Sequence, residues 1–255
     1  MQSFLESAWF TIVYSLLLLL SIAGGYILAR NQYLIKQKGW KPSGTENAII
    51  GFYSLLLSFA LLSSGNAHKE RTNMIHQHAD ALSAIYRESA LSSDSVAGII
   101  RERLVNILTA KLESVNQKAK DEDIVSDTKT DSLYGQLHSD IKQMARRKMI
   151  TPEENRFYID KLNVAIALDY HIQYSELERT PITIMILLIG GSFLIGILIG
   201  FTNGFNEEHH FLIPLIFFVL TSLTVISIRD LDNPTVGWIR PSYKNYENML
   251  LDIKN

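Results

Sequence analysis

The chain has 255 residues, with 24 Lys and Arg against 26 Asp and Glu, so its formal net charge is only −2. A nearly balanced charge gives no indication that the protein binds nucleic acid. Cysteine is absent, which excludes a disulfide framework, a thiolate metal site and a cysteine nucleophile. Composition alone therefore removes several functional classes.

Two apolar regions flank a polar one. Uncharged segments lie at 10–28, 48–67, 181–201 and 211–228. Each has about the 20 residues that a helix needs to cross the hydrocarbon core of a bilayer. Backbone polar groups in lipid must be satisfied within the segment, so helices are expected. The sequence predicts an all-α, multi-pass protein of the cell membrane. Its two transmembrane helix pairs occupy 1–67 and 181–228.

The second segment has one weakly polar face. Gly51, Ser54 and Ser58 fall near the same side of a helix, while large apolar residues cover most of the rest. Such a face can line a water-filled path, or it can pack against a neighbouring helix. The sequence leaves both interpretations open.

The third segment contains a glycine repeat, with Gly196, Gly200 and Gly204 four residues apart. Small residues at this spacing allow two helix backbones to approach closely. Helix packing is the expected role, with a hinge or a pore lining as the alternative.

The polar region, 68–180, is predicted to be helical and to lie outside the membrane. Its first helix continues the second apolar segment. Thr151 and Glu154 have the spacing of a capping box, with Pro152 at the first helical position. The helix that begins there is expected to run toward Arg179 and into the third segment. The region is predicted to have only a weak core of its own and to pack on itself and on other copies. Residues 229–255 are interpreted as a C-terminal tail.

The distribution of Lys and Arg favours a cytoplasmic location for both termini and for 68–180, because more of these residues flank the ends on that side. An even number of spans places the two termini together. The count is close, since the first loop also contains basic residues such as Lys36, Lys38 and Lys41.

No catalytic or nucleotide-binding motif occurs, so the sequence does not predict an enzyme. His76 and His78 are expected to be surface residues, and Glu207–His210 an ordinary loop. Asp230 and Asp232 follow the fourth segment, where they form a turn or offer carboxylate oxygens to Ca²⁺. None of the four spans contains a charge, which argues against a proton relay or an ion-coupled transporter.

Three stretches together resemble a known family. They are 55–62 leading to Arg71 and 79–82, then 174–204, and finally 230–237, which reads Asp-Leu-Asp-Asn-Pro-Thr-Val-Gly and includes Pro234 and Gly237. The last is the most specific, because it is close to the family's Asp-Leu-Asp-Arg-Pro-x-x-Gly. The chain resembles the bestrophin-like bacterial membrane family known as domain of unknown function 4239.

The chain departs from that family at three positions. His78 stands where the family usually has Glu, Thr72 where a second Arg is common, and Asn233 where Arg is common. The resemblance nevertheless implies a four-span helical fold and a homo-oligomer. Bestrophins themselves are pentameric anion channels with the second span lining the pore, cytosolic extramembrane helices and an acidic Ca²⁺-binding turn after the last span.

These observations lead to two hypotheses. The first is a homo-oligomeric, pentameric ion channel that conducts small ions, with anions favoured. Its pore is lined by Gly51, Ser54 and Ser58, constricted by Phe59 or Leu62, and has Arg71 at its mouth. The second is a non-conducting membrane scaffold or sensor whose helical region binds a partner. A fold-level resemblance does not by itself decide between them.

Overall fold

The computed structural model describes residues 9–36, 43–118, 128–205, 211–234 and 237–254. Every regular element in these ranges is a helix: α1 (Trp9–Lys36), α2 (Thr45–Ser89), α3 (Asp94–Lys118), α4 (Thr128–Arg146), α5 (Pro152–Leu177), α6 (Ile182–Gly204), α7 (Leu212–Leu231) and α8 (Lys244–Lys254). The chain divides into unit 1 (Met1–Asn66 and Arg179–Asn233) and unit 2 (Ala67–Glu178 and Pro234–Asn255). The predicted ordinary loop at Glu207–His210 lies outside the described residues.

Unit 1 contains the predicted membrane spans. The helices α1, α2, α6 and α7 are each long and apolar enough to cross a bilayer. Their outer surfaces are covered by exposed aliphatic side chains, such as Leu16 and Leu20 on α1 and Leu215 and Leu220 on α7. Exposed apolar surface of this extent is unfavourable in water but suits a lipid solvent. The prediction of a multi-pass, all-α membrane protein is confirmed.

Helices α1 and α6 are in direct backbone contact through glycines. A Cβ atom added at Gly200 would overlap the carbonyl oxygen of Ile22, and one at Gly204 would lie 2.7 Å from the carbonyl oxygen of Tyr26. At Gly190, on the same helix, nothing lies within 4 Å of the added atom. The prediction that the glycine repeat serves close helix packing is confirmed.

The described residues of unit 2 form one apolar core shared by five helices. Its fully buried members include Ile75, Leu82, Ile100, Leu104, Leu137, Ile141, Tyr158 and Leu162. From α8, Tyr246, Met249 and Ile253 are buried in the same cluster. The buried cluster is larger than the sequence predicts, and it includes residues outside 68–180. Residues 234–255 belong to unit 2, because the apolar face of α8 completes a core that 68–180 alone leaves open.

The start of α5 is fixed by the predicted capping box. The Thr151 hydroxyl accepts a hydrogen bond from the Glu154 N–H at 3.1 Å, and the Thr151 N–H donates to Glu154 Oε2 at 2.7 Å. Ser92 Oγ donates to Glu154 Oε1 at 2.7 Å. These bonds to the charged form lower the pKa of Glu154. They also tie the turn before α3 to the first turn of α5.

Two expectations about helix continuity have opposite outcomes. The continuation of the second span is confirmed, since α2 is one helix of 45 residues. The continuation of α5 into the third span is wrong. Helix α5 ends at Leu177, Glu178 is extended with φ −73° and ψ 119°, and α6 begins only after Pro181. Proline disfavours a helical conformation in the residue before it, which explains the break.

Candidate functional site

The weakly polar face of α2 points away from the rest of unit 1. Gly51, Ser54 and Ser58 are exposed, and the side chains of Phe59 and Leu62 are 60% and 59% exposed. These five residues are the ones predicted from the sequence to line a pore. The structure brings them together on one open side of a helix, and their role in conduction stays a prediction.

The orientation of this face is set by contacts on the opposite side of α2. Tyr53, Ala60 and Ser64 are buried there. The Tyr53 hydroxyl donates to the carbonyl oxygen of Leu188 on α6 at 3.0 Å, and the added Cβ atom of Gly191 would lie 2.8 Å from the Tyr53 ring. Around the helix axis, Ser54 lies about 100° and Ser58 about 140° from Tyr53. Packing of the Tyr53 side therefore leaves both serines on the uncovered side, where they are exposed.

The two serine hydroxyls on the open face use their protons locally. Ser54 Oγ donates to the carbonyl oxygen of Ile50 at 2.9 Å, and Ser58 Oγ donates to that of Ser54 at 2.8 Å. Each hydroxyl keeps its acceptor lone pairs, and it can present its proton elsewhere only by giving up the bond to the preceding turn. The face is therefore polar but weakly so.

Arg71 does not lie where the sequence predicts it. Its side chain is only 2% exposed, and Nη2 donates to the carbonyl oxygen of Ser175 on α5 at 2.7 Å. The expected exposure at a pore mouth needs correction, because Arg71 lies on the inward side of α2. There it joins α2 to the last turns of α5 in unit 2.

The segment after α7 forms a turn, one of the two predicted alternatives. The Asp232 N–H donates to the carbonyl oxygens of Asp230 and Ile228, and Asn233 Nδ2 donates to the carbonyl oxygen of Arg229 at 3.2 Å. Asp230 and Pro234 are buried.

Further along, the Gly237 carbonyl oxygen accepts from Arg240 Nε at 2.7 Å, while Thr235 and Val236 lie outside the described residues. Among the residues that are described, no group of three or more His, Asp and Glu is placed to hold a metal. Binding of Ca²⁺ by Asp230 and Asp232 stays a prediction.

A buried polar cluster in unit 2 was missed by the sequence analysis. His78 Nε2 lies 2.6 Å from the Tyr134 hydroxyl on α4, and Nδ1 lies 2.7 Å from the Tyr246 hydroxyl on α8. A neutral imidazole has one N–H, so one tyrosine donates to the ring and the other accepts from it. His78 is fully buried, and its interpretation as a surface residue is wrong. The interleaving of His78 with Ile75 and Leu82 was the available signal.

Burial, with a smaller effect from the Lys111 charge, lowers the pKa of His78 to about 3. The unfolded chain takes up this proton near the ordinary pKa of about 6.5, so between pH 6.5 and 3 the unfolded state binds more protons. Stability contributed by His78 is thus complete above pH 6.5 and declines as the pH falls. Because of this residue alone, we expect the free energy of unfolding to be about 2 kcal/mol lower at pH 5 than at pH 7.

Chemical unfolding of the detergent-solubilised protein at pH 7 and pH 5 tests this expectation. His78→Gln keeps hydrogen-bonding capacity without titrating. Its free energy of unfolding should therefore fall less between pH 7 and pH 5 than that of the wild type. His138→Gln, at an exposed position of α4, is the matched control. If the free energy of unfolding fell equally in His78→Gln and in the wild type between pH 7 and pH 5, the burial of a neutral His78 would be contradicted.

Comparison with known proteins defines the fold. No family model matches the chain, and no curated protein matches its sequence. Solved structures of a bacterial bestrophin homologue from Klebsiella pneumoniae do match. One has a TM-score of 0.75 at 15% identity over 96% of this chain and 99% of its own. Another has a TM-score of 0.77 at 13% identity, covering 95% and 96%. The bestrophin-like fold is confirmed, while membership of the family of unknown function stays a prediction.

Proposed function

We propose that the protein is a homo-oligomeric ion channel, with anions as the favoured ions and the exposed face of α2 lining the pore. The observation that supports this most is the direction of that face. Tyr53 anchors α2 in unit 1 by the opposite side, which leaves Gly51, Ser54 and Ser58 open in a single copy. A ring of copies with these faces turned inward encloses a path along the helix.

The composition of this face differs from that of the outer surface of α7. The largest exposures on α7 belong to Leu212, Ile213 and Leu220, as expected for a helix in contact with lipid. The exposed face of α2 instead combines Gly51, Ser54 and Ser58 with large apolar residues. Serine oxygens with unused lone pairs gain nothing from lipid, whereas they can contact water or ions in a pore.

Phe59 and Leu62 supply the constriction in this proposal. In a symmetric ring each contributes one apolar side chain per copy at the same height, and a narrow apolar ring blocks ions by excluding water. Arg71, which is buried, is not part of the proposed path. Five copies, a cytoplasmic unit 2 and Ca²⁺ at Asp230 and Asp232 complete the proposal by analogy with bestrophins.

Replacement of Leu62 by Ser should raise the single-channel conductance, because a polar ring holds water where an apolar ring excludes it. We expect an increase of about threefold, which corresponds to a barrier lower by about 0.6–0.7 kcal/mol. The measurement is current through purified protein in planar bilayers. Native mass spectrometry of the same sample gives the copy number.

Leu220→Ser is the matched control, since Leu220 is 60% exposed against 59% for Leu62 but lies on α7. This variant should conduct like the wild type. Absence of current above empty lipid from a folded, assembled wild-type protein would refute the channel proposal. Equal conductance of Leu62→Ser and Leu220→Ser would refute the assignment of the α2 face.

The second candidate function is a scaffold or sensor. Helix α5 exposes Tyr170, Tyr174 and Leu177 on one side, and an apolar stripe of this kind on a region outside the spans can bind a partner. An assembled protein that passes no current, together with a partner displaced by Tyr174→Ser, would favour this function over the channel.

A further inference from the structure

The open face of α2 extends past the apolar segment. Beyond Leu62, the residues Lys69, Asn73, Asp80 and Arg87 are all exposed. They follow Leu62 at successive intervals of seven, four, seven and seven residues, which keep side chains on one side of a helix with 3.6 residues per turn. The face with Ser54 and Ser58 is therefore continued by polar and charged residues.

Burial on the other side of α2 fixes this register independently. Arg71, Ile75, His78, Leu82 and Ile85 are all buried in unit 2, and they recur with the same helical spacing on the opposite side. A rotation that turned Lys69 inward would bring these residues out of the core. The outward direction of Lys69 is thus a consequence of the packing of unit 2 and not of a flexible side chain.

Lys69 is the first ionisable residue on the open face after the apolar segment. Glu70 is also exposed but lies about 100° from Lys69 around the helix axis, on the Phe59 side of the open face. Arg71 is turned inward and bonded to Ser175. Lys69 lies two turns after Leu62, a rise of about 10 Å along the helix. This separation is comparable to the Debye length of about 10 Å at 0.1 M salt, so a charge at Lys69 would be only partly screened from an ion near Leu62.

We propose that the Lys69 side chains of the assembled copies form a ring of positive charge that selects anions over cations. This role rests on the channel function proposed above. Each copy adds one ammonium group at the same height, and a ring of like charges raises the local concentration of counter-ions. The selecting residue is then Lys69 and not Arg71, although both are basic and only two positions apart. The difference lies in which side of α2 each occupies.

The test is the reversal potential of single channels in asymmetric NaCl, which yields the ratio of chloride to sodium permeability. Lys69→Glu should lower this ratio at least about threefold, and Lys69→Gln should give an intermediate value. Lys142→Glu makes the same charge change at an exposed position of α4 and should leave the ratio at the wild-type value.

The absence of cysteine provides a second measurement that does not depend on assembly of a charge-reversed variant. Lys69→Cys is the only thiol in its chain, and it can be modified after the channel has assembled. A positively charged methanethiosulfonate reagent should restore the wild-type ratio, whereas a negatively charged one should lower it further.

The outcomes separate this inference from the proposal on which it rests. A conducting wild type whose ratio is unchanged by Lys69→Glu and by both reagents overturns the role of Lys69 and leaves the channel intact. A folded wild-type oligomer without current overturns both. A conducting wild type whose ratio follows the charge at position 69 supports both.

Discussion

Replacement of Lys111 by Met is expected to destabilise unit 2 by about 3–5 kcal/mol, because it leaves the Asp169 carboxylate buried without its cation. Lys111 Nζ on α3 lies 2.6 Å from Asp169 Oδ1 on α5, and the two side chains are only 7% and 3% exposed. A carboxylate in such surroundings must either remain charged at a high desolvation cost or take up a proton. Either result weakens the native state at neutral pH.

Chemical unfolding of the purified protein measures the loss. The double variant Lys111→Met with Asp169→Leu removes both charges and should recover most of it, since buried ion pairs contribute little net stability over apolar pairs. Lys129→Met breaks the exposed pair with Glu113, whose side chains are 70% and 52% exposed, and should cost about 1 kcal/mol or less. If Lys111→Met and Lys129→Met lowered the free energy of unfolding equally, the larger cost expected for breaking the buried pair would be contradicted.

Substitution of Gly200 by Ala should be among the most damaging single-methyl changes in unit 1. The added Cβ atom would overlap the carbonyl oxygen of Ile22, so α1 and α6 must separate and give up their close contact. We expect the free energy of unfolding to fall by at least about 1–3 kcal/mol. The measurement is the thermal unfolding midpoint of the detergent-solubilised protein.

Gly190→Ala is the matched control, because it adds the same methyl group to the same helix where nothing lies within 4 Å. Alanine has the higher helix propensity, so this control should be neutral or slightly stabilising. If both variants unfolded at the same temperature, the backbone contact between α1 and α6 would not be limiting for stability.

The spans were predictable from sequence because lipid imposes a strict requirement on composition and length. The capping box at Thr151 was predictable for a different reason, since its hydrogen bonds join residues three positions apart. The glycine repeat around Gly200 was predictable as a packing element, although its partner α1 was not. For the spans and the capping box, the determining interaction is local or concerns the solvent alone, whereas the glycine contact joins α6 to the distant α1.

The buried polar residues were not predictable in the same way. Whether Lys69 or Arg71 faces outward depends on which side of α2 packs against α5, and that contact joins residues far apart in the chain. Tyr134 and Tyr246 likewise meet His78 only after α4 and α8 have packed. Sequence spacing defines the faces of a helix but does not say which face is covered.

Completion of the unit 2 core by α8 bears on biosynthesis. During translation, Ile75, Ile100 and Leu137 emerge from the ribosome well before Tyr246, Met249 and Ile253, and both later membrane helices are made in the interval. Nascent unit 2 therefore lacks part of its apolar core throughout membrane insertion. Closure of this core by α8 can therefore occur only after both later membrane helices have been synthesised.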